Sequence, residues 1–334
     1  MDVLSEVLHA VRLEGAVFFN AEFSAPWGLR SPAACAVGQH LGHRDRHVVI
    51  YHLLTDGRGT ASVEGSPGLD LAAGDVVVFP HGDPHILANG SPARLVEIAR
   101  HLPEVLSGRL TPARMGGGGE VTRFVCGYMA CDRELSRSFL GGLPPVFKVN
   151  IRRDDAGRWL EESIRFSARE AAAGRAGGEA VLAKLSEALF AETLRRYTAE
   201  LPPGRTGWLA GARDPHVGEA LAQLHRAPER PWTIAALASC VGVSRSVLAE
   251  RFRRFLGEPP MTYLSRWRLS LSAQMLGSTA YSVARIAGEV GYESEPAFNR
   301  AFKREFGSPP ARFRQQVRAA RQASRQERDA RGVP

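Results

Sequence analysis

Residues 290–310 read Val290-Gly291-Tyr292-Glu293-Ser294-Glu295-Pro296-Ala297-Phe298-Asn299-Arg300-Ala301-Phe302-Lys303-Arg304-Glu305-Phe306-Gly307-Ser308-Pro309-Pro310. The stretch opens on a glycine turn, and Phe298, Phe302 and Phe306 then recur at the spacing of one helix face. It stops at Gly307 and Pro309-Pro310. Ser294 stands where a hydroxyl accepts hydrogen bonds from the unpaired amides of a first helical turn. Gly291 permits the left-handed backbone that ends the preceding helix.

The same pattern occurs once more in the chain. Trp232-Thr233, Leu237-Ala238 and Val241-Gly242 lie 49 residues before Tyr281-Ser282, Ile286-Ala287 and Val290-Gly291. With one residue inserted, Ser244, Leu248, Phe252, Gly257 and Pro259-Pro260 lie 50 residues before Ser294, Phe298, Phe302, Gly307 and Pro309-Pro310. A fixed-period repeat marks a duplicated supersecondary unit. Each copy reads as a helix capped by Thr233 or Ser282, a glycine turn, and a second helix capped by Ser244 or Ser294. Leu248, Phe252 and Phe255 turn inward in the first copy, and the three phenylalanines do so in the second. The opposite faces are polar, with Arg245, Ser246, Glu250, Arg253 and Arg254 in one and Glu295, Asn299, Arg300, Lys303 and Arg304 in the other. One Arg-rich helix face is ordinary solvated surface. Two of them, each presented by a helix-turn-helix, point to duplex DNA.

The charge agrees. The 334 residues carry a formal charge of +8, and from Arg213 onward Lys and Arg number 20 against 11 Asp and Glu. Before Arg213 the numbers are 23 against 24, so nearly all the basicity lies in the last third. Length implies two folded parts. No leader pattern and no apolar run of about 20 residues is present, so a cytoplasmic, nucleoid-associated protein with no membrane partner is expected. Cys35, Cys126, Cys131 and Cys240 are scattered and match no zinc or disulfide pattern. Cys126 and Cys131 would form a redox pair only if the strand between them turned back.

Ahead of the repeat, short β-like runs span His47 to Leu54, Thr60 to Val63, Val76 to Pro80 and Arg94 to Ala99, with turn signals between them. Gly116 to Gly119 is a linker or hairpin loop, because no Gly-Lys-Ser/Thr follows to cradle phosphate. After Pro144-Pro145 the pattern becomes helical, with Trp159, Leu160 and Ile164 in one segment and Leu182, Leu185, Leu189 and Tyr197 in the next. Pro202-Pro203-Gly204 ends it. The Leu182, Leu185 and Leu189 stripe must be buried somewhere, in a dimer or against the β domain.

On the motifs Val290 to Ser294, Phe298 to Lys303 and Phe306 to Pro310, residues 215 to 315 resemble the AraC/XylS transcription regulators. The resemblance implies two helix-turn-helix units joined by a long helix, here Met261 to Leu276. Their recognition helices would enter successive major-groove segments about 34 Å apart. By charge and reach, Arg251, Arg253, Arg254, Lys303 and Arg304 suit phosphate. Ser246, Ala249, Glu250, Glu295, Asn299 and Arg300 correspond by resemblance to base-edge positions. Arg300 is the best guanine reader and Ala249 a methyl contact to thymine.

Gly74, Pro80, Gly82, His85 and Asn89 fit the second cupin motif, so residues 10 to 150 resemble the cupin effector domain of one AraC branch. In metal-dependent cupins the His of this motif joins a His-x-His and a Glu. The matching strand here, His47 to His52, has neither, and His47 and His52 point to opposite faces of a regular strand. No metal or cofactor is therefore expected. His52, His81 and His85 are the candidate effector contacts.

The fold expected is α+β: an N-terminal antiparallel β-barrel of the cupin, jelly-roll kind over 1–150, amphipathic linker and dimerisation helices over 151–204, and an all-α domain with the two helix-turn-helix units over 205–316. A basic tail without structure would follow over 317–334. The function expected is a dimeric, promoter-binding regulator and not an enzyme. By family resemblance it would be an activator meeting RNA polymerase and answering a small molecule or oxidant. A metal-dependent cupin enzyme fused to a DNA-binding domain, or a barrel that only dimerises, are the alternatives.

Overall fold

The strand carrying His52 and the strand Asp75–Phe79, which runs between Gly74 and Pro80 of the second cupin motif, are nearly unbroken runs of Val, Ile, Leu and Phe, because both of their faces are covered. In the computed structural model, which describes residues 2–11, 13–41, 43, 46–91, 95–106, 110 and 113–331, they lie side by side in one sheet. Arg94 and residues 332–334, to which readings were attached above, lie outside the described residues.

The chain opens with α1 (Val3–Ala10), β1 (Glu14–Ser24), β2 (Trp27–Ser31) and α2 (Ala34–His40), then β3 (Arg46–Asp56), β4 (Arg58–Val63), β5 (Leu69–Ala72), β6 (Asp75–Phe79), β7 (His85–Asn89) and β8 (Val96–Glu97). A short α3 (Leu102–Val105) precedes β9 (Ala113–Gly116), β10 (Val121–Asp132), α4 (Arg133–Leu140) and β11 (Phe147–Asn150). One sheet has the order β11-β6-β3-β10-β1-β9 and the other β5-β4-β7-β2-β8. Pairing is mostly antiparallel, with parallel pairs β1/β9 and β2/β8. Where a closed barrel was expected, the strands form two open sheets. Each ends on strands of two to four residues, a length that gives further strands little edge to extend. Phe23, Trp27, Leu54, Phe79 and Phe124 are among the buried side chains of the core in this part of the chain.

Next come α5 (Asp155–Ala172) and α6 (Gly178–Glu200). Asp154 caps α5 by accepting from Gly157 N at 2.9 Å. Leu160, Ile164, Leu182 and Leu189 are buried in the fold, the Tyr51 hydroxyl bonds Ser186, and Phe147 lies 4.2 Å from the Tyr197 ring. The leucine stripe is thus largely consumed within this chain, with only Leu185 half-exposed. Trp159 and Phe166 instead stand 64% and 57% exposed.

The helical part continues with α7 (Trp208–Arg213), α8 (Pro215–Arg226), α9 (Ile234–Cys240), α10 (Arg245–Leu256), α11 (Pro260–Ser278), α12 (Val283–Glu289), α13 (Glu295–Phe306) and α14 (Pro310–Arg331). α14 continues to Arg331, into the tail that was expected to lack structure. Its Ala, Gln, Glu and Arg residues are good helix formers, and Phe313, packed on Phe302 and Phe306, anchors a nucleus that propagates outward. Among the described residues no helix is long and apolar enough to cross a membrane.

The chain divides into two compact units that do not follow the contiguous boundaries read from sequence. One comprises Leu13–Cys131 and Leu143–Tyr197, and the other Met1–Arg12, Asp132–Gly142 and Thr198–Pro334. In the helical unit, Gln274 Nε2 donates to the Ala10 carbonyl at 3.0 Å, and Leu135 and Phe139 of α4 are buried, with Phe139 6.2 Å from Trp208. The helices α1 and α4 therefore belong physically with the repeat, although in sequence they flank the β strands.

Candidate functional site

The two helix-turn-helix units are α9/α10 and α12/α13, and their ends are built alike. Thr233 and Ser282 accept from Ala236 N and Arg285 N at 3.1 Å, while Ser244 and Ser294 accept from Val247 N and Ala297 N. Gly257 and Gly307 end α10 and α13 in the left-handed region, at φ +77° and +73°. Leu248, Phe252, Phe298 and Phe302 are fully buried. With these faces inward, helical periodicity forces the opposite residues out.

On α10, Arg245, Ser246, Glu250, Arg253 and Arg254 are exposed and Ala249 is half-buried. The Arg254 guanidinium lies over the Phe255 ring at 5.5 Å. On α13, Glu295, Arg300, Lys303 and Arg304 are exposed and Asn299 half-buried. Glu295, Asn299, Arg300 and Lys303 meet Val283 and Pro309 around one open depression. Arg251 departs from expectation. It pairs with Asp214 at 2.5 Å, the carboxylate that also caps α8, and so serves the fold before it can serve phosphate. Among the described residues no carboxylate forms an ion pair with Arg300, Lys303 or Arg304, whereas Arg285 is held by Glu289.

The helix α11 sets Tyr263 against Phe252 of the first unit, stacks Trp267 on His225 of α8, and gives Leu269, Ala273 and Leu276 to the core of the second unit. Sequence reading overlooked Arg268 in its middle. Its guanidinium donates to the carbonyls of Pro228, Gly291 and Arg230 at 2.6, 3.1 and 2.7 Å. All three partners are backbone atoms, which leave no signal in side-chain pattern.

In the sheet unit, β3 and β7 bring His52 and His85 together, Nε2 to Nε2 at 2.9 Å. Gly82, at φ +70° and with Ala34 pressed against it, turns the chain between β6 and β7. His85 Nδ1 donates to the Asp83 carbonyl at 2.9 Å. Burial drives the basicity of His85 down to about 4, and burial with His85 beside it drives that of His52 well below the ordinary imidazole value. Both rings line an apolar cavity between Phe19, Phe23, Leu29, Val37 and Phe124. His81 is not in its wall. It is exposed and donates to the Leu143 carbonyl at 2.9 Å. His47 bonds the Pro80 carbonyl, consistent with its lying on the other strand face from His52.

Cys126 also lines the cavity, but Cys126 and Cys131 are no redox pair. β10 is one continuous strand, so the Cα atoms five residues apart lie about 16 Å from one another, beyond any disulfide. Burial raises the Cys126 thiol far above the range in which thiolate forms, and Cys131 contacts the His47 carbonyl at 3.6 Å. Among the described residues no three His, Cys, Asp or Glu side chains converge as a metal site requires.

Comparison with known proteins places both halves. Residues 2–199 match the cupin family and residues 237–316 a helix-turn-helix domain family. The chain is 27% identical to the HTH-type transcriptional regulator AlkR of Acinetobacter baylyi over 95% of this chain and 100% of that protein. It is 30% identical to a putative AraC-like transcription regulator of Streptomyces lividans, over 94% of this chain and 98% of that one. Identity to the RCS-specific HTH-type transcriptional activator RclR of Escherichia coli is 27%, over 95% and 99% of the two chains.

Proposed function

This chain belongs to the AraC-type transcription regulators with an N-terminal cupin domain, and on that premise we propose that it binds promoter DNA as a homodimer and activates transcription when its cavity takes up a small molecule. The observation that carries the DNA reading is the pair of identically capped helices, α10 and α13, each offering unpaired cations beside polar side chains short enough to meet base edges. Arg253, Arg254, Lys303 and Arg304 neutralise phosphates. Ser246, Ala249, Glu250, Glu295, Asn299 and Arg300 face the bases.

The cavity supports the effector reading, since it is apolar and holds two neutral imidazoles. β10 carries Cys126 at the cavity and runs directly into α4, which packs with the repeat, and this continuous segment is the route by which occupancy reaches the helices. Dimerisation goes to the α5 face carrying Trp159 and Phe166, seven residues apart and therefore on one side of the helix. The Escherichia coli relative is a transcriptional activator by name, which supports the sign of regulation, and an activator would meet RNA polymerase. The reading makes the chain a regulator and not an enzyme, with no cofactor.

The test is binding of the full chain to the DNA upstream of its own gene across a salt series. Affinity should fall by orders of magnitude between about 50 and 200 mM salt as counterions are released. Absence of binding at low salt, to that DNA and to random duplex alike, overturns the reading.

A further inference from the structure

The hydrogens of the two buried imidazoles can be assigned from their partners. The Asp83 carbonyl only accepts, so His85 carries its hydrogen on Nδ1. Burial keeps both rings neutral, with one N–H each. His85 Nε2 is then a bare lone pair, and the 2.9 Å contact must be donated by His52 Nε2–H. The only hydrogen of His52 is committed there. Its Nδ1 is consequently an acceptor, and among the described residues it has no hydrogen-bond partner although the residue is only 3% exposed.

An acceptor buried in apolar surroundings without a donor is costly, and the cavity wall does not supply one in the form of a cation. Apart from the two histidines its polar side chains are Ser31 and Cys126, and the rest are aliphatic or aromatic. Phe79 backs both rings, stacked on His85 at 3.7 Å and edge-on to His52 at 5.8 Å. Each ligand class can be weighed against this wall. A carboxylate would bring negative charge and lone pairs to a lone pair with no cation to balance them, and an ammonium would be buried with no carboxylate. An alkane fills the space but leaves Nδ1 unsatisfied. An ether or ketone adds a second acceptor.

We propose that the cavity takes a neutral, predominantly apolar molecule with one hydroxyl, an alcohol or a phenol, which donates its hydrogen bond to His52 Nδ1. This rests on the reading of the cavity as the effector site. His52 is the specificity-determining residue, and His85 is a positioning residue that fixes the His52 tautomer.

The experiment titrates the full chain with three probes of equal chain length, 1-hexanol, 1-methoxypentane and n-heptane, by calorimetry and by shift of the unfolding midpoint. The alcohol should bind about tenfold more tightly than the ether, the worth of one hydrogen bond made against an acceptor otherwise left buried, while heptane reports the apolar space alone. The preference should vanish in His52→Phe, which keeps the ring and removes the acceptor. Should that variant fail to fold, ¹⁵N spectra of histidine-labelled wild type read the tautomer directly, with His52 Nδ1 as the unprotonated nitrogen. Equal affinity for the alcohol and the ether, or a hydrogen on His52 Nδ1, overturns the donor assignment and leaves the cavity reading standing. Binding of none of them overturns the cavity reading itself. Saturable zinc binding that is lost in His52→Phe overturns the proposal, because the imidazole nitrogens would then be metal ligands.

Discussion

Arg268 holds Gly291: its Nη1 donates to the Gly291 carbonyl at 3.1 Å, while Nε and Nη2 reach back to the Pro228 and Arg230 carbonyls. One side chain of α11 thereby ties the loop before the first helix-turn-helix to the turn of the second. Arg268→Ala should destabilise the helical unit by about 1.5–3 kcal/mol, the range for hydrogen bonds to a charged group. Arg268→Lys should recover less than half of that, since an ammonium cannot meet three carbonyls as a planar fork does. Urea unfolding measures both. A matched pair of titrations, on a full two-segment site and on a single segment, should show the greater loss on the full site.

Gly242 and Gly291 occupy equivalent turns at φ +73° and +83°, yet their surroundings differ. A Cβ at Gly242 meets nothing within 4 Å, whereas one at Gly291 lies 2.6 Å from the Glu229 carbonyl oxygen and 2.8 Å from Arg268. Gly242→Ala should cost only left-handed strain, about 1 kcal/mol. Gly291→Ala adds a backbone collision, so its unfolding midpoint should fall further. Equal losses in the two variants would show that the turns are not distinguished by packing.

Arg300 and Arg254 should fail differently. If Arg300 bonds guanine through both donors, Arg300→Ala removes about 1–3 kcal/mol of discrimination at one base pair. Arg254→Ala should weaken all sequences alike and lower the salt slope by about one unit. Titration against a site and its single-base variants at several salt concentrations separates the two. Uniform loss in Arg300→Ala, with base preference intact, would assign Arg300 to phosphate.

Acid should loosen both units. His85 and His225 are pushed by burial down to about 4 and about 3, and His52 is lowered as well, so the unfolded chain binds protons that the native chain excludes. Native stability from these groups is complete above the unfolded value of about 6.5 and drains as pH falls towards 4. Each pKa unit is worth roughly 1.4 kcal/mol. Denaturant midpoints measured between pH 7 and pH 4.5 should therefore decline steadily, and less steeply in His225→Phe. A flat profile would mean that these rings are not buried neutral.

Trp159→Asp should abolish the dimer without unfolding the chain. Its side chain is 64% exposed, so the substitution should change fold stability by no more than about 0.5 kcal/mol. Sedimentation of the variant as a monomer supports the α5 interface. An unaltered dimer moves it elsewhere on the chain.

The helical half was legible in the sequence to within a few residues. Serine and threonine caps, glycine turns and Pro-Pro stops act over four or five positions, so the repeat displayed α9, α10, α12 and α13 without any long-range information. The β half was legible in part: the runs read from His47, Thr60 and Val76 are β3, β4 and β6, whereas β2, β5 and β7 were not picked out. β10 was legible only as a strand between Cys126 and Cys131, without its ends, because a strand buried on both faces has no alternation to read, and whether it turns back between the two cysteines was a matter for the tertiary structure.

What the sequence alone determined was the inward and outward face of each recognition helix, since a 3.6-residue period leaves no freedom once Leu248, Phe252, Phe298 and Phe302 are buried. It also separated His47 from His52, by parity along one strand. Tertiary structure alone decided which histidine joined His85, because β3 and β7 meet only through the packing of two sheets. It decided likewise that Leu182 and Leu189 are consumed within the chain while Trp159 is left outside, and that Arg268 clamps three carbonyls. Such choices rest on residues tens of positions apart, where no local propensity reaches and only the closing of the core selects partners.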